Sequence, residues 1–269
     1  MLIVVGHPRS GTTMLARALN SHPDIVVTFE FQCLENLDVG FQEHKSGLRM
    51  GILARRLVEL SPRQPQHAEG SRLISRWKNG LLDRAASVVF LQKYLREIHT
   101  GGIVRSEDVE RALRRASGNP IVVGDKFPEY VFELDRLAQL DNAQILAIGR
   151  DPRDVVASAL SMYRSGWSGG KLGSSMGRAD QAAASWLKAS EAIESHSSRV
   201  HRLSYEEFVR EPSSTMAEIA HWLGVDPGGF SVKGISERSI GRFGDRLSSD
   251  ELASIIAVAG TKMEEMGYL

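Results

Sequence analysis

The chain has 269 residues and a mass of 29.6 kDa, long enough to bury a full core and, for an α/β sheet, commonly one domain. Lys plus Arg and Asp plus Glu stand at 33 each, with a sequence pI near 7.1, so no overall field draws nucleic acid or an anionic membrane and any anion must be recognised by a local cluster. The single cysteine, Cys33, excludes an internal disulfide framework and a Cys-based zinc site, and no apolar run approaches the roughly 20 residues of a membrane span.

The chain opens on Leu2-Ile3-Val4-Val5, breaks into a loop carrying Gly6, Pro8 and Gly11, and continues with apolar residues at helical spacing, Met14, Leu15, Ala18 and Leu19. This order reads as strand, phosphate loop, helix. The amides of residues 9 to 13 are expected to be unpaired at the helix start and to point at a phosphate or sulfate, with the helix dipole adding to the attraction. The spacing is nearly that of a nucleotide triphosphate loop, with Gly6, Gly11 and Thr13 in place. Thr12, however, stands where that loop carries lysine, and the cation lies inside the loop at Arg9. The substitution points away from ATP hydrolysis.

Pro23 stops the first helix, and Ile25 to Phe29 reads as a second strand with Glu30 at its C-terminal end. Residues 35 to about 118 read as a helical insertion, with helical patterns at 48–60, 81–98 and 106–116. His44, His67 and His99 show no metal or triad spacing and read as packing or surface histidines, and Cys33 as an inert buried thiol. Pro120 to Gly124 is a third strand followed by Asp125-Lys126-Phe127-Pro128, and Ala143 to Gly149 a fourth followed by Arg150-Asp151-Pro152-Arg153-Asp154. Pro152 and Asp154 suit the first turn of a helix.

The glycine-rich stretch 165–178 reads as a lid or a slack surface loop, followed by a helix over 179–195, a strand over 200–204, helices over 215–223 and 249–266, and a basic loop over 236–243 between the last two. The fold class expected is α/β, a phosphate-loop-type parallel sheet flanked by helices, in a single domain spanning 1–269. Because residues 1–5 already read as core strand, no leader is expected and a cytoplasmic location is.

The stretch Pro8-Arg9-Ser10-Gly11-Thr12-Thr13 resembles the 5′-phosphosulfate loop of sulfotransferases that use 3′-phosphoadenosine 5′-phosphosulfate (PAPS), in the arginine version similar to tyrosylprotein and many bacterial members. Arg150 and Ser158, eight residues apart, resemble the family's element that holds the 3′-phosphate, as a guanidinium fork and a hydroxyl two turns into a helix can. Leu203-Ser204-Tyr205-Glu206-Glu207-Phe208 resembles a further family region. The stretch from Ser239 through Arg242 to the terminal Met266-Gly267-Tyr268 is similar to the C-terminal part of bacterial members, which places Arg242 with the nucleotide. Only residues 35 to 118 carry no matching motif.

The resemblance implies in-line sulfuryl transfer from PAPS to a hydroxyl. It makes Glu30 the base that takes the acceptor's proton, with Glu35 and Glu43 as nearby alternatives, and Lys126 the cation at the leaving oxygen, with Arg9 sharing the charge. No metal is required. The acceptor implied is a small molecule, carbohydrate or lipid; the anchor and disulfides of tyrosylprotein enzymes are missing. Two other readings stand: a small-molecule kinase with a degenerate loop, for which Asp125 and Asp151 are the candidate magnesium ligands, and a non-catalytic module that binds 3′-phosphoadenosine 5′-phosphate (PAP).

Overall fold

The first strand, β1 (Leu2–Val5), is apolar at every position and buried at every position, as a strand covered on both faces must be. The structure, a computed structural model, describes residues 1–48, 88–99, 102–166 and 175–269. In it β1 is the middle of a five-stranded sheet of order β2-β5-β1-β6-β7, formed with β2 (Ile25–Phe29), β5 (Val122–Lys126), β6 (Gln144–Gly149) and β7 (Val200–Ser204). Every pairing is parallel. All five strands were legible in the sequence, but β5 runs two residues later than expected, because Asp125 and Lys126 pair in register with Thr28 and Phe29. The charged pair therefore belongs to the strand and not to the loop after it.

Strand alternation divides the core between the two faces of the sheet. Leu2 and Val4 join Leu15 and Leu19 of α1 (Thr12–Leu19) on one face, while Ile3 and Val5 join Phe31, Tyr94 and Tyr130 on the other. A third cluster packs Val155, Val156 and Leu160 of the Pro152–Arg164 helix against Trp186 of the Ala179–Ser195 helix and Ile255 and Met263 of the Ser249–Glu265 helix. The outer strand β7 carries exposed Arg202, a charge that discourages pairing with another sheet edge.

The region read as a helical insertion is helical at Phe41–Gly47, over 88–98 and at Ser106–Ala116, the last with the bounds expected. It also holds a two-stranded antiparallel ribbon, β3 (Val39–Gly40) with β4 (Ile103–Val104), which two-residue strands leave no periodicity to reveal. The pattern at 48–60, all but its first residue, positions 81–87 of the pattern at 81–98, and His67 lie outside the described residues, as does 167–174 of the glycine-rich stretch. The rest of that stretch is partly packed: Met176 is buried, and Gly177 lies so close to the Tyr163 ring that a Cβ would come within 2.8 Å of it.

Candidate active site at the C-terminal rim of the sheet

Between β1 and α1 the chain turns through two left-handed residues, Arg9 at φ 79° and Gly11 at φ 99°. Gly11 is the N-cap of α1, and no side chain caps that helix. A Cβ on Gly11 would lie 2.5 Å from the Tyr205 ring, and one on Gly6 the same distance from the Ile148 carbonyl oxygen; both glycines are dictated by close approach. Of the amides expected to be free, that of Ser10 is taken by the His7 carbonyl at 3.0 Å. The first bond into α1 runs from Leu15 N–H to the Gly11 carbonyl at 3.1 Å, so the amides of the turn before it have no partner within the helix.

Pro8 and Thr13 are half-buried, Thr12 buried, and the Ser10 hydroxyl is buried with no hydrogen-bond partner. A buried unsatisfied hydroxyl beside an uncapped helix start fits an anion seated in the loop.

His7, which sequence reasoning passed over, anchors this loop. Its Nδ1–H donates to the Pro8 carbonyl at 2.8 Å, which leaves Nε2 to accept from the Ser185 hydroxyl at 3.1 Å. Burial pushes the imidazole down to about 4, so the ring is neutral and that tautomer is the one the two bonds demand.

Arg150, at the end of β6, meets the loop. Its Nη1 donates to the Arg9 carbonyl at 3.2 Å, Nη2 donates to the Ser239 carbonyl, and the guanidinium lies 4.2 Å over the Tyr205 ring. Arg9 Nε donates to the Ser158 hydroxyl at 3.0 Å. Arg9, Arg150 and Ser158 are thus drawn into one cluster from three elements, and burial together with the Arg150 charge lowers the pKa of the Arg9 guanidinium. The two positive charges repel, and an anion beside them offsets that repulsion, as Asp154 does for Arg150 at 3.5 Å. Arg150 Nε is buried without a partner, a second unmet donor. The Trp186 indole N–H fixes the Arg150 carbonyl at 2.9 Å.

Asp154 lies in the first turn of the Pro152–Arg164 helix as expected, and Asp151 caps that helix, accepting from Arg153 N–H at 2.8 Å and pairing with the Arg153 guanidinium at 2.7 Å. Asp154 instead reaches across the chain. Its carboxylate accepts from Gly241 N–H at 2.8 Å and Phe243 N–H at 3.0 Å and stands 3.5 Å from Arg150. The loop carrying exposed Arg242 is therefore tied to the element carrying Arg150.

On the other side of the phosphate loop, the Lys126 ammonium lies 2.7 Å from Glu30 Oε1 and 3.3 Å from the Thr13 hydroxyl. Lys126 is fully buried, whereas the Glu30 side chain is 23 % exposed. One cation thus joins a carboxylate that solvent can reach to the start of α1. Glu30 itself sits at φ 57°, just past β2, with its N–H bonded to the Lys126 carbonyl at 2.6 Å. The turn runs on through Gln32 at φ 58°.

The neighbour of Lys126 points to the opposite face. Asp125 is wholly buried, and its oxygens accept from Thr28 Oγ1 at 2.7 Å, Phe31 N–H at 3.2 Å, Gln32 N–H at 2.9 Å and Tyr130 O–H at 3.4 Å. Burial pushes it up to about 6 despite these donors. Burial, then Asp125, raises the Cys33 thiol well above its usual range, as an inert thiol requires. His44 is buried with Nε2 2.9 Å from the Tyr94 hydroxyl, and His99 packs edge-on to Phe41, packing roles in both cases.

A parallel five-stranded sheet flanked by helices, with a glycine-bearing turn between its central strand and the following helix, defines an α/β protein of the phosphate-loop-like fold. Residues 2–227 match the model of the sulfotransferase family, and the chain belongs to that family. Two solved structures share the fold over nearly the whole chain. A sulfotransferase domain from the curacin biosynthetic pathway is 18% identical, with a TM-score of 0.60 and 96% of each chain covered. A sulfotransferase domain from the Synechococcus PCC 7002 olefin synthase is 19% identical, with a TM-score of 0.52 and 97% of this chain and 93% of that one covered. No curated protein matches the sequence. Among the described residues no helix is long and apolar enough to cross a membrane.

Proposed function

We propose that the protein moves the sulfuryl group of PAPS to a hydroxyl of a small-molecule, carbohydrate or lipid acceptor. The observation that carries this reading is the convergence of Arg9, Arg150 and Ser158 beside the uncapped start of α1. A 5′-phosphosulfate would be held by the loop Pro8 to Thr13, using the unmet Ser10 hydroxyl, and a 3′-phosphate by Arg150, Ser158 and Arg242. Glu30 takes the acceptor's proton as its oxygen attacks sulfur in line. Lys126, already within reach of Thr13 and Glu30, neutralises charge on the oxygen that leaves, and Arg9 charge on the transferring group.

The kinase reading loses support from the commitments of its two carboxylates. Asp125 is enclosed by four donors, and Asp151 is spent on a helix cap and Arg153. We propose further that residues 1–269 act as one domain in the cytoplasm, with the segment around 35–118 shaping the acceptor pocket.

Incubation with labelled PAPS or with Mg-ATP across a panel of hydroxyl acceptors tests this reading. Label transferred from PAPS alone is expected; transfer from ATP overturns the donor assignment, and tight PAP binding without turnover favours a non-catalytic module. Glu30→Gln is expected to keep PAP affinity and lose about 10²- to 10⁴-fold in turnover.

A further inference from the structure

We infer that Asp125 is a positioning residue for the reaction, holding the Glu30 carboxylate in place through the backbone of the turn that carries it. This rests on the reading of Glu30 as the base. Two non-glycine residues of that turn, Glu30 and Gln32, are left-handed at φ 57° and 58°, a conformation that persists only where its surroundings enforce it. Asp125 is the side chain that does so. One oxygen accepts from the Thr28 hydroxyl before the turn and Phe31 N–H within it; the other accepts from Gln32 N–H and the Tyr130 hydroxyl.

The two halves of the device are consecutive residues of β5. Strand alternation sends Lys126 to the phosphate-loop face, where it meets the Glu30 carboxylate, and Asp125 to the opposite face, where it meets the amides just past Glu30. Glu30 N–H, bonded to the Lys126 carbonyl, extends the β2–β5 ladder by one residue. The carboxylate is thereby fixed by its tip from one face and by its backbone from the other. Asp125 makes its hydrogen bonds to Thr28, Phe31, Gln32 and Tyr130, and its charge also acts on its neighbour Lys126, so the Glu30→Gln background is what tells a route through Glu30 from one through Lys126.

Asp125→Asn keeps the shape, but whichever way the amide turns, its NH2 meets the N–H of Phe31 or Gln32. Turnover is measured as label released from PAPS to water and to the best acceptor of the panel, and PAP affinity by calorimetry, for wild type, Asp125→Asn, Glu30→Gln and the double variant. The expected result is a loss of about 10- to 100-fold in kcat for Asp125→Asn, with PAP affinity within about threefold. In the Glu30→Gln background the same change should cost less than about twofold, since a residue acting through Glu30 has nothing left to position.

An equal loss in both backgrounds, a parallel loss of PAP affinity, or an unchanged kcat overturns the inference. Wild-type turnover in Glu30→Gln alone would instead remove the base assignment, and so is distinguishable. Should Asp125→Asn fail to fold, Thr28→Val deletes one donor to Asp125 at nearly constant volume. It should lower kcat by about threefold or more, and an unchanged kcat overturns the inference.

Discussion

Replacing Lys126 by methionine removes a charge while nearly preserving the volume of the stem. The lost ammonium sits 2.7 Å from Glu30 and 3.3 Å from Thr13 in a side chain with no exposure. In water such a contact is worth little; here burial excludes the solvent that would replace it. Where charge gathers on a leaving oxygen, removing one preorganised donor costs about 10²- to 10³-fold in kcat, or about 2.7–4 kcal/mol of barrier. The folding penalty should fall below the about 3–5 kcal/mol of a fully enclosed broken pair, because the Glu30 side chain is 23 % exposed and can turn to water. Steady-state turnover of PAPS, PAP calorimetry and urea unfolding separate these effects. A Lys126→Met variant with kcat within about fivefold of wild type, or with PAP affinity falling as far as kcat, refutes the assignment of Lys126 to the transition state.

Other outcomes follow from the same geometry. His7, pushed down to about 4 by burial, contributes stability that is present above its unfolded value near 6.5 and lost as pH falls toward 4. Urea unfolding of wild type against His7→Gln should therefore show a difference that shrinks by about 3 kcal/mol across that window. Asp125, pushed up to about 6, acts with the opposite sign: its contribution is complete below 3.8 and is lost as pH rises through 6, so Asp125→Asn should steepen the stability profile between pH 4 and 6. Asp154→Asn sets an amide against one of two backbone N–H donors and weakens the hold on Arg150. PAP should bind about tenfold more weakly, while adenosine 5′-phosphate, which lacks the 3′-phosphate, binds as before by calorimetry. Gly11→Ala forces a Cβ to 2.5 Å from Tyr205 at φ 99°. A loss of about 1–3 kcal/mol in unfolding free energy, with PAP no longer raising the Tm, is expected.

The strand, turn and helix that open the chain were readable because every part of them is local. Strand, glycines, hydroxyls and helix follow within fourteen residues, and the physics that makes an uncapped helix start attract anions acts over the same short span. Arg150 and Ser158 were singled out by the family resemblance, and the structure sets the first just past β6 and the second in the helix that follows. Asp154 lies in the first turn of its helix, as its position in the chain implies, but nothing near it announces bonds to Gly241 and Phe243, 87 and 89 residues on. The Lys126–Glu30 contact and the left-handed turn at Glu30 carried no sequence signal of their own, and only the family resemblance singled those residues out.

What the sequence determined by itself is what neighbours along the chain can enforce: four apolar runs that must become buried strands, a glycine-bearing turn between the first of them and a helix, and a balance of charge with no overall excess. What only tertiary structure decided is which distant residues share a cluster. The order β2-β5-β1-β6-β7 sets β5 beside β2, so that Lys126 and Asp125 grip the Glu30 turn from opposite faces, and sets β6 beside β1, so that Arg150 reaches Arg9. Strand order arises from the packing of both faces of the sheet at once, a condition on the whole chain that no single stretch expresses.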